Sequence, residues 1–131
     1  MAKIEWKDNY AVGNDVIDRE HKELIEQINQ LYELLARSTD THRVEVMLGD
    51  IQADISAHFA FEELMMSEAD FAEYEEHKKD HETLLDQIND MVFSFSEDPE
   101  TGRQLLKDKL SNWFARHFVT FDARLHNQLA T

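Results

Sequence analysis

Apolar residues recur at three- and four-residue spacing along most of the chain, and short polar segments interrupt this pattern. Such spacing is typical of amphipathic helices, because it places apolar side chains on one face of a 3.6-residue repeat. No segment alternates between apolar and polar residues in the way that strands do. The pattern predicts an arm, four helices and a short helical tail, at about residues 1–17, 18–37, 41–66, 70–95, 99–118 and 121–131.

The polar breaks contain residues that favour helix starts. Asp18 is the predicted N-cap of the first helix, and residues 38–41 offer capping side chains before the second. Pro99 suits the first position of a helix that Asp98 caps. Because the loops are short, successive helices should be antiparallel. We therefore predict an all-α, up-down-up-down antiparallel four-helix bundle with an extended N-terminal arm, in a single domain over residues 1–131.

The composition narrows the possible functions. The chain of 131 residues has no cysteine, which excludes disulfides and thiolate metal sites and leaves imidazole and carboxylate as metal ligands. Thirteen basic against 28 acidic residues give a net charge of −15. This charge repels polyanions, which argues against nucleic acid as a partner and against binding to anionic membrane surfaces. No apolar run is long enough for membrane insertion, and the N-terminus lacks an apolar signal segment. We expect a cytoplasmic monomer.

Five of the seven histidines fall on the apolar faces of the predicted helices. His58 and Glu62 are four residues apart on the second helix, and His77 and His81 are four apart on the third. Positions i and i+4 project from one face of a helix, so each pair can contact one ion. The full set of candidate metal ligands is His21, His58, Glu62, His77, His81, His117 and Asp122.

Ordinary core packing is the alternative for each of these positions. A single inward histidine is most often a core residue with a satisfied hydrogen bond, and an isolated pair at this spacing is commonly a coincidence. Burying many such groups without partners would cost about 1–3 kcal/mol or more for each. Together the seven donors are too many for one metal ion and suit two. His42, His126 and Glu63 lack the pattern, and we predict ordinary solvated positions for them.

Other helical metal sites fit the spacing less well. A zinc-protease motif needs HExxH, but Phe59 follows His58 and Lys78 follows His77. Structural zinc needs only four donors. Di-iron proteins of the ferritin type use Glu-x-x-His elements, and no histidine of this chain has a glutamate three residues before it.

The motifs resemble those of the hemerythrin family, specifically its stand-alone bacterial members, over essentially the whole chain. The segment WKDNYAVG, followed by IDREH, is similar to the entry motif of the family, and HFAFEE resembles its H-F-x-x-E-E element. HKKDH matches the family's HxxxH, and HFVTFD matches its HxxxxD. Myohemerythrin, a member of this family, is an up-down bundle, in agreement with the predicted fold.

The resemblance implies two non-haem iron ions, bridged by carboxylates and by an oxo or hydroxo group. The implied ligands are His77, His81 and His117 for one iron, His21 and His58 for the other, and Glu62 and Asp122 as bridges to both. The iron with two histidines would keep one open position for dioxygen. The implied function is reversible oxygen binding for storage, delivery or scavenging, by a protein that is not an enzyme and whose recipient is unknown.

Two alternatives remain open: a di-iron enzyme acting on peroxide or nitric oxide, and an interaction module that senses oxygen or iron. Asp122 lies five residues after His117, about 140° away on an ideal helix, so it reaches the same metals only through a π-bulge, a kink or a helix end. Ile55, Trp113 and Phe114 are candidates for an apolar cover over the oxygen site, with plain core packing as the alternative.

Overall fold

Four α-helices make up most of this protein in a computed structural model, which describes residues 5–120 except the side chains of residues 9, 111, 113, 114 and 118–120. The helices are α1 (Asp15–Arg37), α2 (Thr41–Glu68), α3 (Tyr74–Glu97) and α4 (Pro99–Thr120), and a short 3-10 helix (Asp8–Tyr10) lies in the arm. The predicted tail, with Asp122 and His126, lies outside the described residues. Within residues 5–120, no helix is both long and apolar enough to cross a membrane.

Contacts between the first and last helices show how the bundle closes. The Tyr32 hydroxyl donates a hydrogen bond to the carbonyl of Leu106 at 3.1 Å, and Arg103 donates to the carbonyl of Leu35 at 2.8 Å. Contacts therefore move back along α4 as they move forward along α1, so these helices are antiparallel. The all-α, up-down-up-down antiparallel four-helix bundle predicted from the sequence is confirmed.

The first helix begins three residues earlier than predicted. Asn14, not Asp18, is its N-cap, because the Asn14 side chain accepts hydrogen bonds from the backbone N–H groups of Val16 and Ile17, both at 3.1 Å. Asp18 instead accepts from the backbone N–H of Val12 at 2.8 Å and so ties the arm to the helix. The predicted Asp18 cap is wrong, because this carboxylate binds backward to the arm rather than forward into the helix.

Replacing Asn14 with alanine should destabilise the bundle. The substitution removes the acceptor for two backbone N–H groups at a buried helix start, and we expect a loss of about 1–2 kcal/mol in the free energy of unfolding. Urea unfolding followed by circular dichroism measures this loss. Asn14→Asp keeps an acceptor and should lose much less; equal losses in the two variants would contradict the capping role.

The turn between α2 and α3 also differs from the prediction. α2 continues to Glu68, and α3 begins at Tyr74 rather than at residue 70. Asp70 has φ 51°, in the left-handed region, which interrupts the right-handed helix. The backbone N–H of Phe71 then reaches back to the carbonyl of Met66 at 3.0 Å and closes the turn.

Apolar side chains pack in two groups at different heights in the bundle. The main core consists of apolar residues from all four helices together with Tyr10 of the arm. A smaller end cluster joins the arm to the helices near the α2–α3 turn; its buried members are Val12, Ile17 and Met66, with Phe61, Met65, Phe71 and Tyr74 packed against them. Along α1, His21 lies one turn beyond Ile17, and along α2, Glu62 lies one turn before Met66. The polar residues of the interior therefore lie beside the end cluster.

Candidate metal centre

Six of the seven predicted ligands lie together inside the bundle, and the seventh, Asp122, is outside the described residues. All six have exposed fractions of 2% or less. They are His21 of α1, His58 and Glu62 of α2, His77 and His81 of α3, and His117 of α4. Positions three or four residues apart share one face of a helix, so these polar side chains point inward together with the neighbouring leucines and isoleucines.

One oxygen of Glu62 faces three histidines. Its Oε1 atom is 3.0 Å from Nε2 of His77, 3.1 Å from Nε2 of His81 and 4.0 Å from Nε2 of His117. The ring centroids of these histidines lie 4.7 to 5.1 Å apart. With Glu62 they bring one ligand atom each within 4.8 Å of one another, close enough to hold a single ion. We call His77, His81 and His117 the three-histidine group.

The other oxygen of Glu62 faces two histidines. Its Oε2 atom is 3.0 Å from Nε2 of His58 and 3.2 Å from Nε2 of His21, whose ring centroids are 4.5 Å apart. These two histidines and Glu62 form a second group of ligand atoms that could hold an ion. We call His21 and His58 the two-histidine group. Glu62 is thus shared between two adjacent clusters of donors.

Glu62 is an ionised carboxylate in a buried position. Burial raises its pKa, but side-chain hydrogen bonds with the surrounding histidines outweigh that effect and hold the pKa well below its usual value. The histidines that contribute are His117, His21, His58 and His77. A buried anion of this kind needs compensating positive charge, which protonated imidazoles or metal cations can supply.

Among the residues that the structure describes, three further carboxylates contact the histidines from outside. In each contact, a carboxylate oxygen lies close to the Nδ1 atom of a histidine. The distances are 2.9 Å from Glu20 to His58, 2.9 Å from Glu63 to His81 and 2.6 Å from Asp80 to His117. We call Glu20, Glu63 and Asp80 the outer carboxylates. The prediction that Glu63 is a solvated residue is wrong, since its side chain is only 20% exposed and is bound to the His81 ring. The sequence held one signal for all three: each is the immediate neighbour of a predicted ligand.

The donor chemistry fits metal ions. An ionised carboxylate can only accept hydrogen bonds, so each histidine bound to an outer carboxylate donates its Nδ1–H. A neutral imidazole that donates from Nδ1 has a lone pair at Nε2. In His58 and His81, that Nε2 atom points at a Glu62 oxygen 3.0 or 3.1 Å away. Two lone pairs at this distance repel each other unless a proton or a metal cation lies between them.

An aromatic ring packs against the centre. The Phe59 ring stacks on His81, with centroids 3.9 Å apart and planes 5° from parallel, and its centroid is 5.6 Å from that of His117. Phe59 is buried and was not singled out from the sequence. Ile55, a predicted cover residue, is fully buried in the main core. The side chains of the other predicted cover residues, at positions 113 and 114, lie outside the described residues.

A four-helix bundle in which every helix turns at least one histidine into the interior, around the buried carboxylate of Glu62, belongs to the class of bundle proteins that can hold metal ions between their helices. Comparison with known proteins identifies the family. The family model for the hemerythrin HHE cation binding domain matches residues 12–129. The chain therefore belongs to the hemerythrin family, as the motifs predicted.

Individual relatives agree with this assignment. The bacteriohemerythrin of Pseudomonas aeruginosa is 32% identical over 123 residues, covering 94% of this chain and 79% of that protein. The bacteriohemerythrin of Aquifex aeolicus is 29% identical over 120 residues, covering 90% of this chain and 91% of that protein. A crystal structure of a hemerythrin mutant covers the whole of both chains with a TM-score of 0.81 at 20% identity, which shows the shared fold.

Proposed function

We propose that this protein binds dioxygen reversibly at a non-haem di-iron centre, for oxygen storage, delivery or scavenging. The observation that carries the proposal is the division of five histidines around Glu62, with three at one carboxylate oxygen and two at the other. The membership of the hemerythrin family and the relatives named bacteriohemerythrin support it. Imidazole and carboxylate donors suit iron, and the absence of cysteine leaves no thiolate site to compete.

The unequal numbers of histidines support a ligand-binding role. The three-histidine group would hold one iron, the two-histidine group would hold the other, and Glu62 would bridge them, with Asp122 as the predicted second bridge. A pair of ferrous ions would supply two electrons for dioxygen and, on the side with fewer protein donors, a position to bind it. The mostly neutral donor set favours the ferrous state.

Exclusion of water supports reversible binding over catalysis. The six described ligands are buried, and the apolar end cluster lies beside the centre, one helical turn away on α1 and α2. Burial limits access of water and protons, which would otherwise help to release reduced oxygen species. For this reason we propose a binding protein rather than an enzyme.

Anaerobic reduction followed by exposure to oxygen tests the proposed function. We expect two iron ions per chain and near-ultraviolet and visible charge-transfer bands that appear with oxygen and disappear when it is removed. A protein that stays colourless, or that binds fewer than two irons, would contradict the proposal. Turnover of peroxide or nitric oxide well above that of free iron would favour the enzyme alternative instead. A monomeric state and a cytoplasmic location also remain predictions from the sequence.

A further inference from the structure

Each of the first three helices carries one outer carboxylate that contacts a histidine of the next helix. Glu20 of α1 contacts a histidine of α2, Glu63 of α2 contacts one of α3, and Asp80 of α3 contacts one of α4. The contacts thus follow the chain order around the bundle. Each of these three rings has an outer carboxylate at Nδ1 and faces Glu62 with the opposite edge, where Nε2 lies 3.0 Å from a Glu62 oxygen in His58, 3.1 Å in His81 and 4.0 Å in His117.

The outer carboxylates lie between the buried histidines and solvent. Their side chains remain between 20% and 34% exposed, whereas the histidines that they contact are at most 2% exposed. Each carboxylate can therefore contact water on one side while it accepts a hydrogen bond from the imidazole Nδ1–H on the other.

The outer carboxylates are distributed unequally between the two groups. Glu63 and Asp80 act on the three-histidine group, through His81 and His117. Glu20 acts on the two-histidine group, through His58. A negative partner at Nδ1 raises the basicity of the imidazole and strengthens its bond to a metal at Nε2.

We propose that Glu20, Glu63 and Asp80 are positioning residues that turn the Nε2 atoms of His58, His81 and His117 toward the metals and increase their donor strength. The inference rests on the proposed di-iron centre and deepens it. Each carboxylate fixes a histidine on a neighbouring helix, so metal affinity depends on the correct packing of adjacent helices. Glu63 and Asp80 also place two negative charges beside the three-histidine group. These charges would stabilise the ferric state of an iron bound there and lower the reduction potential of that iron.

Paired substitutions separate the charge of an outer carboxylate from its hydrogen bond. Glu63→Gln keeps an acceptor but removes the charge, whereas Glu63→Leu removes both. Glu82→Gln is the matched control, since Glu82 is an exposed carboxylate on α3, beside His81 in sequence. The affinity for zinc, titrated into the metal-free full chain, and the imidazole ¹H–¹⁵N spectra of the zinc-loaded protein provide readouts that do not involve oxygen.

We expect zinc affinity to fall about 10- to 100-fold in Glu63→Leu, with a smaller loss in Glu63→Gln and no loss in the control. The zinc-loaded parent should show a slowly exchanging, downfield Nδ1–H signal for His81. This signal should vanish in the leucine variant and move upfield in the glutamine variant. In the iron-loaded protein, Glu63→Gln should raise the reduction potential, because a negative charge near one iron is lost.

Zinc affinity within twofold of the control in both Glu63 variants, or an unchanged His81 Nδ1–H signal, would overturn the inference. If the leucine variant does not fold, as judged by circular dichroism, the isosteric glutamine variant decides the result by the same limits. A protein that fails to bind oxygen while its zinc affinity and Nδ1–H signal respond as expected would refute the proposed function and leave the positioning role intact.

Discussion

Replacing Glu62 with glutamine should reduce the bound iron from two ions per chain to one or none. Glu62 is the one described residue that faces both histidine groups, with Oε1 toward the first and Oε2 toward the second. The amide has nearly the same shape but no charge, and its nitrogen cannot serve as a ligand. Because loss of an outer partner alone typically weakens metal binding about 10- to 100-fold, loss of a shared ligand should exceed about 100-fold.

Iron analysis after reconstitution, together with the charge-transfer spectrum in oxygen, measures this effect. Glu82→Gln serves again as the control, since it removes the same charge from an exposed position. The control should bind two irons and retain the spectrum of the parent. Two tightly bound irons in Glu62→Gln would mean that this carboxylate does not bridge them and that the centre is built differently from our proposal.

Replacing Gly102 with alanine should be among the most destabilising single-methyl additions in this bundle. Gly102 lies in the first turns of α4, where an added Cβ would collide with the backbone Cα of Phe95 in α3 and would lie 2.5 Å from its backbone nitrogen. Backbone atoms cannot move aside as a flexible side chain does, so α3 and α4 must separate. We expect a loss of about 1–3 kcal/mol or more in the free energy of unfolding, as for overpacked cores.

Gly49 provides the matched comparison. It is exposed on α2, and nothing lies within 4 Å of an added Cβ at this position. Because alanine favours the helix, Gly49→Ala should raise the free energy of unfolding by about 0.5–1 kcal/mol. Urea unfolding of both variants measures the two effects. A Gly102→Ala variant as stable as the parent would show that α3 and α4 do not approach each other so closely at this corner.

The interior positions of the helices were largely predictable, and the exceptions have a common cause. The apolar repeat placed residues such as Leu48 and Ile88 on buried faces, and both are fully buried. Phe59 and Met91 are also buried, whereas the apolar Val92 is only partly buried. A bundle helix contacts two neighbours, so its buried face is wider than the single stripe that a strict repeat marks.

The positions of helix ends were less predictable because several polar residues compete for each cap. Asn14 and Asp18 are both good capping residues by type, and the sequence pattern alone favoured Asp18. The packing of the arm decided between them, since Val12 is buried in the end cluster and its backbone N–H needs the Asp18 carboxylate. Asp98 and Pro99 had no such competition, and α4 begins at the predicted residue.

The sequence by itself determined which residues face the interior and which of them could be ligands, because periodicity within one helix is a local property of the backbone. His58 with Glu62, and His77 with His81, could be recognised in this way. The tertiary structure decided which side chains meet across helices: Glu62 divides the histidines into three and two, and Glu63 reaches the ring of His81. Contacts between helices depend on how the helices are rotated and how far apart they pack, and spacing along one helix carries no information about either.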